Sequence, residues 1–206
     1  SLPLSHPARV VLIHGADVPL EMRTVSLPRL RAGELLVKIT CSTLCGSDLH
    51  TYRGDRSTPC PTILGHEILG TVAEWPPNEP PVDAAGTPLK VGDRVTWGIA
   101  ANCGDCFFCN RDLPQKCESL FKYGHQQWSD SHPLSGGLAD YCHIAAGTPV
   151  FRIPDALPNE VACPVNCATA TVAAALRAAG DVVGECLLVH GAGMLGLTAA
   201  AMARSS

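Results

Sequence analysis

Cys45-Gly46-Ser47-Asp48-Leu49-His50 puts a thiol, a hydroxyl, a carboxylate and an imidazole in one short stretch, and Gly65-His66-Glu67 adds a second imidazole and carboxylate. A thiolate and an imidazole are two of the three side chains that a catalytic zinc takes, because such a site keeps its fourth position open. Cys167 is the candidate third ligand. Asp48 and Glu67 could orient a metal-bound histidine, and Ser47 with His50 could carry a proton from the metal to solvent. On spacing alone, a buried or hydrogen-bonded Cys or His with no metal is the competing reading. A second set, Cys103-x-x-Cys106-x-x-Cys109 followed by Cys117, offers four thiolates and no open position, as a structural zinc requires. Two zinc ions per chain are thus expected. Gly191-Ala192-Gly193-Met194-Leu195-Gly196 follows an apolar run and precedes a helix-like one, the setting of a dinucleotide-binding turn.

The elements that must position these residues change character once along the chain. Residues 8 to 39 contain three short strand-like runs, 9–13, 22–27 and 34–39, punctuated by Pro28 and Gly33. Further strand patterns at 64–72, 91–97, 136–144 and 150–153 complete a barrel-like, β-rich domain over residues 1–158. Cys45 to His50 suits one helical turn. Residues 102 to 118 have no apolar period and would hold no shape without a metal or a cross-link. From Asn159 an alanine-rich helix, broken near Pro164, runs to Gly180. A strand at 185–190 and a helix from Leu195 to Arg204 then read as the first βα unit of a doubly wound domain, 159–206.

Composition narrows the class. The 206 residues are 46% hydrophobic and 17% charged, which suits a globular core and not a disordered chain. A net charge of −4 with scattered Lys and Arg gives no basic stripe, so neither nucleic acid nor an anionic membrane is an expected partner. No run of apolar residues is long enough to span a bilayer. An odd count of 11 cysteines in C-x-x-C clusters points to reduced thiols on metal rather than disulfides, and a cytoplasmic location is expected. The chain starts at Ser1 and stops inside a helix-like run, so it reads as a piece of a longer protein. Cys41, Cys60, Cys142, Cys163 and Cys186 read as small core residues, and His125 as a structural or loop residue, with lining of the substrate cleft as the alternative.

In their order and spacing, the Cys45 to His50 segment, Gly65-His66-Glu67, Val91-Gly92-Asp93-Arg94-Val95, the four-cysteine lobe and Gly191 to Gly196 resemble a medium-chain zinc alcohol dehydrogenase. The resemblance implies a GroES-like catalytic domain followed by the truncated start of a Rossmann domain. It implies catalytic zinc on Cys45, His66 and Cys167 with Glu67 close by, structural zinc on the four lobe cysteines, and Asp48 supporting His66. Ser47 and His50 match the family's proton relay, Thr171 its nicotinamide-packing position, and Gly191, Gly193 and Gly196 its NAD or NADP turn. A small alcohol substrate and a homodimeric or homotetrameric parent follow. Gln115-Lys116-Cys117, Lys122-Tyr123-Gly124-His125 and Asn166 to Thr171 resemble a bacterial branch associated with phosphonate catabolism. Polyol dehydrogenases are near competitors, and a zinc-binding structural protein without catalysis is the reading from another class. The isolated 206 residues are expected to turn over little or no substrate.

Overall fold

The computed structural model describes residues 6–77, 79–181 and 184–204. Ala8–Leu12 (β1) and Glu21–Val25 (β2) pair antiparallel. Leu35–Thr43 (β3), Glu67–Glu74 (β4) and Arg94–Trp97 (β5) follow, then the two-residue strands Ala100–Ala101 (β6) and Phe121–Lys122 (β7), which pair with each other. Tyr141–Ile144 (β8) and Val150–Arg152 (β9) close an antiparallel sheet of order β8-β3-β4-β5-β9. The sheet is covered on both faces. Along β3, Leu35 and Val37 enter a core with Ile68, Trp97 and Tyr123, while Leu36 between them enters another with Val10, Leu12 and Ile63. That split is the period of two of an extended chain.

The β3–β4 register decides where chemistry can gather. Thr43 at the end of β3 faces Glu67 at the start of β4, so the segments carrying Cys45 and His66 leave the sheet side by side. The two strands shift register near Ile39 and Cys41 and cross closely there. A Cβ on Gly70 would strike Val37 and the Lys38 carbonyl, so only glycine permits this approach.

Cys45 starts the helix Gly46–Arg53 (α1), which is longer than the single turn expected and ends on the left-handed Gly54. Asn159–Ala162 (α2) runs into a 3₁₀ turn, Cys163–Asn166, and then into Ala168–Ala179 (α3), with a 57° bend between the two parts. Pro164 lies in the 3₁₀ turn, and the expected break is there. Ala162 and Cys163 pack against Leu69 and Ile153, fastening the helical segment to the sheet. Met194–Ala203 (α4) lies against α3. Among the described residues no single helix is long and apolar enough to cross a membrane.

The expected strand at 185–190 is not formed. Leu188 is 90% exposed, and no strand among the described residues lies beside this segment. An apolar run becomes a strand only when a neighbour supplies the other half of the ladder.

Candidate metal centre

The sheet geometry brings three predicted ligands to one point. Ligand atoms of Cys45, His66 and Cys167 all lie within 4.8 Å of one another, and the Cys167 Sγ is 3.4 Å from His66 Nε2. Cys167 occupies the joint between the 3₁₀ turn and α3, with φ −118° and ψ −80°. Asn166, one residue earlier, holds that joint to the sheet by donating from Nδ2 to the carbonyls of His66 and Trp97, each at 2.9 Å.

Asp48 is buried and fully engaged. Its Oδ1 lies 3.3 Å from His66 Nδ1 and accepts the Gly65 N–H at 3.1 Å, while Oδ2 accepts the Cys45 N–H at 2.9 Å. The carboxylate thus fixes the ring of one ligand and the backbone of another, leaving Nε2 directed at the two sulfurs. Burial works against charge on His66, but Asp48 and Cys167 outweigh it and raise the imidazole to about 10. Burial also pushes the Cys45 thiol up; the N–H and hydroxyl of Ser47, with His66, pull it to a net value below the ordinary one. Two sulfurs and one imidazole with an oriented ring are a donor set that fits zinc.

The remaining predicted residues fall around this cluster in different ways. Ser47 sits at the Cys45 sulfur. His50 is at the surface beside Asp55, 3.3 Å away, and among the described residues no hydrogen bond joins it to Ser47. Glu67 is buried next to His66, but its Oε2 accepts from Thr43 Oγ1 at 2.7 Å, and its carboxylate is not in the three-ligand group. Thr171 lies one turn into α3 and is exposed, with its N–H bonded to the Cys167 carbonyl at 2.9 Å. Gly193 starts α4, and Gly196 packs so closely on the Gly191 carbonyl that no side chain fits there.

The four lobe cysteines also converge, all within 4.8 Å of one another. The Cys103 and Cys117 sulfurs are 3.5 Å apart, and Cys117 Sγ accepts the N–H groups of Cys103 and Ser119. Backbone N–H groups, of Glu118 first, lower Cys106 to about 6, whereas Asp105 first raises Cys103 to about 12. Between Asn102 and Lys116 no residue is buried, so the lobe has no apolar core and only its sulfurs meet at a centre. Four thiols and nothing else suit a closed zinc site.

Some readings need correction or addition. Cys142 and Cys163 are buried as expected, but Cys186 is exposed, because the unpaired segment that carries it has nothing to pack on. His125 is held in place by the Tyr123 carbonyl and Arg56, each at 3.1 Å, and its ring lies 5.1 Å from that of His66. Asn166, which positions Cys167, carried no signal beyond its place beside a candidate ligand.

The chain is similar to known proteins over most of its length. The family description "Alcohol dehydrogenase GroES-like domain" matches residues 31–155. An alcohol dehydrogenase of Geobacillus stearothermophilus is 36% identical over 191 residues, 91% of this chain and 52% of that protein. The crystal structure of an alcohol dehydrogenase from Thermotoga maritima superposes with a TM-score of 0.89 at 30% identity, covering 97% of this chain and 55% of that one. A dehydrogenase from E. coli CFT073, crystallised with NADH, superposes with a TM-score of 0.73 at 29% identity over 94% of this chain and 52% of that one. The chain belongs to the alcohol dehydrogenase GroES-like domain family. It spans about half the length of the relatives it matches.

Proposed function

We propose that this chain is the metal-binding part of a zinc-dependent, NAD(P)-linked oxidoreductase that acts on a small alcohol. The observation that carries the reading is the convergence of Cys45, His66 and Cys167 beside a buried Asp48. Cys45, His66 and Cys167 would hold the catalytic zinc and the four lobe cysteines the structural one, two ions per chain. Zinc, when bound, supplies a positive charge that lowers the pKa of a hydroxyl held next to it. Asp48 keeps His66 turned so that Nδ1 is engaged and Nε2 is free to ligate. In the relay that the resemblance implies, Ser47, beside the Cys45 sulfur, would accept the hydroxyl proton while passing on its own, and His50, exposed beside Asp55, would hand a proton to water without a direct hydrogen bond to Ser47. Thr171 would pack on the nicotinamide, and Gly191, Gly193 and Gly196 would let the pyrophosphate approach the N-terminus of α4. Glu67, held by Thr43, would be a nearby carboxylate for the metal.

The resemblance to the phosphonate-associated branch supports a role in phosphonate catabolism. A cytoplasmic, homodimeric or homotetrameric parent is part of the same reading. The 206 residues alone should be nearly inactive, because the segment at 185–190 forms no sheet and so builds no cofactor crevice. The same observation favours a second reading for the isolated chain, a zinc-binding fold without turnover.

The test pairs metal content with turnover. Wild type and Cys45→Ser are compared for zinc by elemental analysis and for NAD(P)H formation with a panel of small alcohols. A drop from about two zinc ions to about one in the variant supports the catalytic site. Equal zinc in both overturns it, and ready turnover by the isolated chain overturns its predicted inactivity.

A further inference from the structure

A further group of titratable side chains, outside both sets of ligands, joins the loop 126–134 to β8. His143 on β8 is only 4% exposed, and its Nε2 lies 3.0 Å from Glu34 Oε2. This is the contact of an ion pair and not an aligned hydrogen bond, and neither nitrogen of the ring has a hydrogen-bond partner among the described residues. His132, half-buried on the loop, lays its ring on that of His143 with centroids 5.9 Å apart and planes 15° from parallel. Phe121 on β7 packs on His132 as well, at 5.1 Å. The loop is fastened here: the Leu134 carbonyl accepts the His143 N–H and the Ser135 carbonyl accepts the Gly124 N–H, each at 2.9 Å. One residue beyond Gly124 stands His125, against His66.

One carboxylate faces these two rings. Glu34, just before β3, accepts the Arg31 N–H at 2.7 Å with the same oxygen that meets His143. It can balance one imidazolium, and a second would stand against the first in a partly desolvated stack. The other charged or titratable neighbours give no relief. Arg31 is itself a cation, and burial pushes the Tyr123 phenol and the Cys142 thiol up, so both stay neutral in mild acid. Burial first, then the charge of His143, holds His132 below the ordinary histidine value, while Glu34 works the other way. A histidine lowered in the closed loop takes up its proton more readily when the loop is open. Closure is therefore at full strength above the ordinary value of 6.5 and weakens as pH falls below it.

We propose that the His132–His143 stack is an acid-released latch on the loop 126–134. With no more than one proton on the two rings, Glu34 balances the charge and the loop lies closed on β8. With a proton on each, the rings repel and the loop lifts, slackening the strip that holds His125 against His66. The latch rests on its own residues and stands or falls apart from the dehydrogenase reading.

The test is amide hydrogen exchange of the zinc-loaded chain from about pH 7.5 to about pH 5, each rate corrected for the intrinsic pH dependence of exchange. Protection over 126–134 is expected to fall about tenfold or more across that range, while the amides of β3 and β4 keep theirs. His132→Phe leaves a ring on His143 that takes no proton, and its loop should stay protected in acid. Glu34→Gln removes the balancing carboxylate, so its loop should open at a higher pH than in the wild type. The His132 Cε1–H signal in proton NMR of the wild type should titrate over the same pH range as the opening. Any loss of zinc as His66 takes up protons is common to the wild type and His132→Phe, and cancels between them. Loop protection that does not change with pH in the wild type overturns the latch, as does an equal fall in His132→Phe or an unmoved opening in Glu34→Gln. If His132→Phe does not fold, a His132 signal that titrates apart from the opening overturns it instead.

Discussion

The four-cysteine lobe and the Cys45, His66, Cys167 cluster gather ligand atoms by opposite means. In the lobe, sulfurs 14 residues apart or fewer meet through loops and 3₁₀ turns that bury no apolar side chain. In the cluster, His66 and Cys167 are 101 residues apart and meet because a twice-covered sheet and a bent helix bring them together. The lobe has its ligands supplied by sequence proximity and depends on them for its shape. The cluster has its shape supplied by the core and depends on it for its ligands. The difference extends to what surrounds the sulfurs: backbone N–H groups in the lobe, but a carboxylate and a hydroxyl at the cluster.

That contrast is broken most directly by removing one ligand from each. Cys117→Ser should release the lobe zinc and lower amide protection across 102–118 by about a hundredfold or more in hydrogen exchange. Cys45→Ser should release the other zinc and leave protection of the sheet amides nearly unchanged. If the two variants lose protection over the same residues, the two regions are not independent.

Asp48→Asn should weaken zinc at the cluster about 10- to 100-fold and leave the lobe's affinity alone, as read by chelator competition. The pH dependence has a defined sign. His66, held up to about 10 in the metal-free chain, is charged at neutral pH and must lose its proton to ligate. Zinc affinity at the cluster therefore rises with pH and falls as His66 becomes harder to deprotonate, which competition titrations at several pH values would follow.

Asn166→Ala leaves two carbonyls without their donor and should cost about 1–3 kcal/mol in denaturant unfolding, together with weaker metal binding at Cys167. Thr43→Val is the mildest change. Loss of its hydrogen bond to Glu67 should cost about 0.5–1.5 kcal/mol, and a change in the cobalt(II) spectrum on substitution would reveal a freed carboxylate reaching the metal.

What could be read from the chain divides along the same line. C-x-x-C spacing is local, so Cys103, Cys106, Cys109 and Cys117 were legible as one group. The strand patterns at 34–39, 64–72 and 136–144 became strands at 35–43, 67–74 and 141–144, their ends moved by the pairing that sequence does not show, and the break at Pro164 followed from proline chemistry. The meeting of Cys45, His66 and Cys167 rested on a family resemblance, because no periodicity reports a distance across 101 residues. Asn166 stood in a quoted motif, but its clamp on His66 and Trp97 was not legible, since both carbonyls are brought by other elements. The segment 185–190 was misjudged for a related reason: its apolar sequence states a preference for pairing but cannot supply the strand it would pair with.

The bend that places Cys167 has a mechanical side. The cysteine sits where the 3₁₀ turn hands over to α3, with Asn166 clamped to His66 and Trp97 on one side and the buried Ala168 and Val172 of α3 on the other. A ligand at such a joint works as a pivot pin. A small swing of α3, and of α4 packed on it, would turn about Cys167 and displace its sulfur little, so the site is placed where motion of the distal segment disturbs it least.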